Sequence, residues 1–186
     1  MKTLLISRVA TLLMLFCAFS MSAQKLTRTE KKILKTIEAN NNEAIQFLKD
    51  VVNINSGTMN HEGVKKVGNV FGDAFKNIGF KTNWYDLSEV NRSGHLFAET
   101  SGNKGKKLLL IGHLDTVFEA DSPFQEFEMI NDSIAHAPGG NDMKGGNVIM
   151  LYALKALADN GLLKNAQIIA AFTGDEEATG KPLTIS

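Results

Sequence analysis

Among the side chains of three short polar clusters, five stand out as able to bind cations or move protons. His113 and Asp115 lie in GHLDT (112–116), Asp142 in GGNDMKGG (139–146), and the adjacent Glu176 and Glu177 in TGDEEATG (173–180). One imidazole and four carboxylates make a nitrogen and oxygen donor set that suits zinc, with manganese or cobalt as alternatives. Four carboxylates gathered in one place repel one another unless cations sit among them. Taken singly, each cluster has a plainer reading. His-x-Asp is commonly a surface pair, Glu-Glu a solvated helix start near the positive end of the dipole, and Gly-Gly a turn. Their joint placement changes that estimate.

Two of the clusters directly follow runs that read as buried strands. The segment LLLIG (108–112) is continuously apolar and bounded by turn residues, as expected of a strand buried on both faces of a mainly parallel sheet. Residues 166–173 read the same way. Ligands in open α/β sheets bind outside the carboxyl ends of the strands. The third cluster leads into a helix over 146–160, with Gly161 as its stop. Strand, helix, strand in this order implies a right-handed crossover and an α/β fold, a three-layer sandwich. Gly139 and Gly140 allow the backbone close to the pocket, and Gly145 and Gly146 let the helix begin beside it.

Upstream, Val64, Val67, Phe71 and Phe75 recur three or four apart, predicting a helix over 61–78 with Asn60 as cap and Gly79 at its end. Residues 25–53 read as one amphipathic helix, or as two separated at Asn41 and Asn42. Strands are expected at 80–85 and 94–100, a turn at 101–107, and a hairpin at 127–130 and 133–136. His61 and His95 read as surface or partly buried side chains, and His136 as a hairpin end. The triplets beginning at Asn91 and Asn131 match a glycosylation pattern that is common by chance.

Twenty basic and twenty acidic side chains cancel, so the summed field offers nothing to nucleic acid or to an anionic membrane. Lys2 and Arg8, an apolar run from Val9 to Phe19, and small residues up to Ala23 have the layout of a secretory signal peptide over 1–23. That implies a secreted or periplasmic protein with no stable membrane association after cleavage. Cys17 is the only cysteine. A mature chain from Gln24 would lack thiols, leaving His, Asp and Glu as ligands. There is no G-x-S-x-G elbow and no phosphate loop, which argues against a serine hydrolase or a nucleotide enzyme.

GHLDTV, NDMKGG and DEEATG, in this order after the loop VVNINSGTMN (51–60), resemble the dinuclear zinc metallopeptidases that include glutamate carboxypeptidases, aminoacylases, acetylornithine deacetylases and related dipeptidases. The resemblance covers about residues 40–186. It implies that His113 binds one zinc, Asp142 bridges two, and Glu177 binds the other. Asp115 would orient His113 through its far nitrogen, and Glu176 would serve as general base. It also implies a cis bond between Asp142 and Met143, a small peptide or N-acyl amino acid as substrate, and a homodimer as an option for the full-length protein.

The family pattern needs two further ligands, an acid beyond the Glu pair and a late histidine, and neither is assignable before Ser186. Residues 24–186 are therefore expected to be the N-terminal portion of a truncated catalytic domain, lacking the small dimerisation or lid domain and weak or inactive alone. The competing expectation is a noncatalytic peptide- or metal-binding module; a mononuclear or structural metal protein is a third.

Overall fold

The computed structural model of the chain describes residues 25–181. The expected signal peptide and Cys17 lie outside the described residues. The chain divides after Lys31 into two contact units. In the first, Thr27 and Glu30 form a capping box: Thr27 Oγ1 accepts from the Glu30 amide at 3.2 Å and the Glu30 carboxylate accepts from the Thr27 amide at 2.6 Å.

Helix α1 (Arg28–Val52) runs unbroken through Asn41 and Asn42, so the single-helix alternative holds. Asparagine costs only a few tenths of a kcal/mol in a helix interior, and Ala44, Phe47, Leu48 and Val51 pack on the core along one face. Packing therefore overrides the local preference. Helix α2 (His61–Asn77) starts where predicted, with the Asn60 side chain accepting from the Gly63 amide at 3.0 Å. Strands β1 (Lys81–Asp86), β2 (Gly94–Glu99) and β3 (Lys107–His113) follow. The hairpin β4 (Glu128–Asn131) and β5 (Ile134–His136) precedes helix α3 (Gly145–Asp159) and strand β6 (Gln167–Thr173).

The four-stranded sheet has the order β1-β2-β6-β3. Strands β3 and β6 are parallel neighbours joined through α3, as the strand-helix-strand reading requires. The β1/β2 and β2/β6 pairings are antiparallel, so the α/β sheet is mixed.

Alternation along the strands places Leu96, Ala98, Ile168, Ala170 and Phe172 on one face, where all are buried. Val64, Val67, Phe71 and Phe75 of α2 and Val148, Leu151 and Leu154 of α3 close over that face. Phe71 stands edge-on to both Phe172 and Phe47 at 5.3 Å between centroids. Burial of each such side chain contributes about 1.5–3 kcal/mol.

The opposite face corrects one expectation. Leu109, Ile111 and Ile169 are 56%, 65% and 40% exposed, so 108–112 is not buried on both sides. Strand β3 lies at the sheet edge, and among the described residues the helices cover only the other face.

Candidate metal centre

His113 closes β3 and Thr173 closes β6, and the two are directly paired. The segments carrying Asp115 and the Glu176–Glu177 pair therefore leave the sheet at the same edge. Asp142 arrives from the tight turn Gly140–Lys144 in front of α3, and the Asp142–Met143 bond is cis, as the resemblance implies. Gly139 enters that turn at φ 67°, where a β-carbon would stand 2.4 Å from Thr116 Cγ2. Only glycine lets the turn lie this close to the β3 end. A similar approach operates at Gly112, whose missing β-carbon would fall 2.1 Å from Asn147 Oδ1. Asn147, fully buried in the first turn of α3, uses that room to donate to the His113 carbonyl at 2.6 Å.

The His113 ring is buried between two acids. Its Nε2 is 3.0 Å from Asp142 Oδ1. Its Nδ1 is 3.0 Å from the Asp115 carbonyl and 3.4 Å from Asp115 Oδ1. Acceptors at both nitrogens favour a proton on each in the metal-free chain, and those at Nδ1 leave Nε2 as the nitrogen that ligates a metal once its proton is lost. Burial alone pushes the imidazole pKa down, but Asp115 and Asp142 outweigh it and raise it to about 9.

Asp115 is fully buried and collects more than His113. Oδ2 accepts from Thr58 Oγ1 at 2.7 Å and from the Glu177 amide at 3.0 Å, and Oδ1 accepts from the Glu176 amide at 3.1 Å. Burial would push its carboxyl up, but His113, Thr58 and the two amides hold it below the usual carboxylate range. Asp115 therefore grips the Glu pair by the backbone and leaves both side chains to project. One ligand atom from each of His113, Glu176 and Glu177 lies within 4.8 Å of the others. Partial burial raises the Glu177 carboxyl; Asp142, Glu176 and Asp115 add repulsion against the attraction of His113. A clustered imidazole and carboxylates that repel one another are the donor chemistry a divalent cation requires, so the residues fit the metal implied by the sequence.

All five sequence-identified residues thus converge on one sheet edge. The remaining histidines do not join them. His95 Nδ1 accepts from the Gly174 amide at 3.2 Å, and His136 is an exposed hairpin end. Thr58, Lys144 and Asn147 escaped the sequence reading of the site. Lys144 is almost wholly buried, its Nζ donates to the Val51 and Ile54 carbonyls at 2.9 Å each, and burial pushes its pKa down to about 7. The NDMKGG string displayed this lysine, but nothing local announces partners 90 residues away.

Residues 109–185 match the model described as Peptidase family M20/M25/M40, a span that holds all five site residues. That match lies on the segment that carries the three clusters and agrees with the resemblance they bear. Carboxypeptidase G2 of Pseudomonas sp. (strain RS-16) is 30% identical over 92% of the chain and 41% of its own length. Succinyl-diaminopimelate desuccinylase of Blochmanniella pennsylvanica is 30% identical over 51% of the chain and 27% of its own length. The chain thus spans well under half of these relatives. Human carnosine dipeptidase 1 shares the fold with a TM-score of 0.71 at 20% identity, over 86% of this chain and 37% of that one.

Proposed function

We propose that the full-length protein is a metal-dependent hydrolase of amide or peptide bonds, of carboxypeptidase, aminoacylase or dipeptidase type, and that residues 24–186 are the N-terminal portion of its catalytic domain. The observation that carries this is the gathering of His113, Asp142, Glu176 and Glu177 where β3 and β6 end side by side. The names of the relatives, a carboxypeptidase and a succinyl-diaminopimelate desuccinylase, support the substrate class: a small peptide or N-acyl amino acid.

In this reading His113 and Asp142 hold one zinc ion, and Asp142 and Glu177 hold a second. When bound, such ions polarise an amide carbonyl and lower the pKa of water from 15.7 towards about 7. Asp115 keeps the Nδ1 proton of His113 in place, so that Nε2 stays free to ligate. Glu176 accepts a proton from the attacking water on its carboxylate and returns it to the departing amine nitrogen. The clamp on its amide sets where that carboxylate stands. The layout of residues 1–23 supports export to the periplasm or the medium, and the full-length protein is a candidate homodimer.

The test uses the full-length gene product. Elemental analysis is expected to find two zinc ions per chain, and Glu176→Gln to keep them while hydrolysis of N-acyl amino acids and dipeptides falls about 100- to 10,000-fold, the scale of general-base catalysis. Undiminished turnover by Glu176→Gln would remove Glu176 as the base, and a wild-type protein that binds the metal but hydrolyses none of these substrates would instead favour a noncatalytic module.

A further inference from the structure

We propose that residues 51–58, the end of α1 and the loop after it, form a positioning strap that sets the spacing of the metal ligands through Thr58 and Lys144. The proposal rests on the reading of this site as a metal centre. It assigns a task to two residues that neither bind the metal nor touch substrate in that reading.

One arm of the strap reaches the turn that carries Asp142. The Lys144 ammonium donates to the Val51 and Ile54 carbonyls at the C-terminal end of α1, at 2.9 Å each. Among the described residues it has no carboxylate within ion-pair distance. A buried ammonium without a counter-ion is costly, and carbonyls at a helix C-terminus, where the dipole is negative, are the groups that offset the cost. Val51 is itself completely buried in the core, so the anchor is fixed. The turn two residues before Lys144 is thereby tied to the scaffold.

The other arm reaches the His113 segment. The Ser56 hydroxyl donates to the Leu114 carbonyl at 2.9 Å, the Thr116 amide donates to the Ser56 carbonyl at 2.9 Å, and the Thr58 amide donates to the Thr116 carbonyl at 3.2 Å. Thr58 Oγ1 then donates to Asp115 Oδ2 at 2.7 Å. A hydroxyl facing an ionised carboxylate has only one role, that of donor, so the direction of this bond is settled. Thr58 is 2% exposed and Asp115 is 0% exposed, which keeps water from substituting for either partner. A single stretch of chain thus holds both sides of the 3.0 Å approach of Asp142 to His113.

The experiment measures zinc affinity of the full-length protein by competition with a chromophoric chelator, beside urea unfolding of the metal-free form. Thr58→Val and Lys144→Met are each expected to weaken zinc binding about 10- to 100-fold, the effect usual for groups that orient ligands. Thr58→Ser, which restores the hydroxyl, should bind like the wild type. Wild-type affinity in folded Thr58→Val, with only the unfolding midpoint lowered, would reduce the strap to a structural contact and overturn the proposal. That variant alone decides if Lys144→Met does not fold. A wild-type protein that takes up no zinc would refute the metal centre itself, and the strap with it.

Discussion

Asp115 holds Glu177 by its backbone: the buried carboxylate accepts the Glu177 amide at 3.0 Å on the same oxygen that receives the Thr58 hydroxyl. Its other oxygen accepts the Glu176 amide. One carboxylate therefore joins the ends of β3 and β6 and faces the imidazole it orients. Asp115→Asn replaces an acceptor oxygen with an NH2 that must confront an amide N–H or the hydroxyl. Hydrogen bonds to a charged group are worth about 1.5–3 kcal/mol each, so unfolding in urea should show a loss of at least that size. Zinc affinity should fall with it, about 10- to 100-fold. A variant as stable as the wild type would mean that the clamp is not made in solution.

Zinc uptake should release a proton. At neutral pH the metal-free His113 is protonated, because Asp115 and Asp142 outweigh burial and raise it to about 9. A ligand imidazole must be neutral. Apparent zinc affinity is therefore expected to rise with pH until His113 has titrated. Calorimetry in buffers of different ionisation heat reads the released proton directly; heats independent of buffer would contradict the protonated resting state.

In the metal-free chain, two buried bases act oppositely on stability. His113, raised from 6.5 to about 9, binds more protons folded than unfolded, so its contribution is complete below pH 6.5 and is lost as pH climbs through 9. Lys144, lowered from 10.5 to about 7, binds fewer protons folded than unfolded, so its contribution grows from pH 7 to 10.5. Between pH 7 and pH 9 the two offset each other. Lys144→Met should unmask a decline in the urea midpoint across this window, and His113→Gln a rise. Identical slopes in the two variants would reject the assignment.

Gly112→Ala tests the close approach beneath the site. The new methyl would fall 2.1 Å from Asn147 Oδ1 and push Asn147 off the His113 carbonyl. Overpacking of this kind costs about 1–3 kcal/mol. Circular dichroism melting and zinc affinity should both decline; an unchanged melting curve would show that Asn147 has room to move.

The apolar strand edge should make the 186-residue chain self-associate. Ile111 and Leu109 are more than half exposed on a strand with one side unpaired among the described residues, and such edges template further pairing. Ile111→Lys is expected to shift sedimentation of the isolated chain towards monomer while changing its stability by no more than about 0.5 kcal/mol, as for exposed positions generally. Unaltered sedimentation would place the association elsewhere.

Much of this molecule was legible locally. The spacing of Val64, Val67, Phe71 and Phe75 marked α2, and Asn60 capped it as its type and place indicated. The apolar runs before His113 and Gly174 marked the strands, the rule that ligands bind beyond strand ends brought two of the polar clusters together, and the third leads into the helix between those strands. These readings succeed because periodicity, capping and turn chemistry act over a few residues. Asn41 and Asn42 left one helix or two open for the converse reason, since a small local cost yields to the packing of Phe47 and Val51 against a core assembled from distant segments.

The sequence by itself determined which side chains could bind a cation and in what order they come. Only the tertiary structure decided how they are held: that Asp115 clamps two amides as well as facing His113, that Thr58 and Lys144 reach across 57 and 90 residues to the ligand segments, and that β3 is an edge. A hydrogen bond between residues so far apart leaves no periodic trace in either segment. Its donor and acceptor meet because the burial of apolar faces brings their backbones together first.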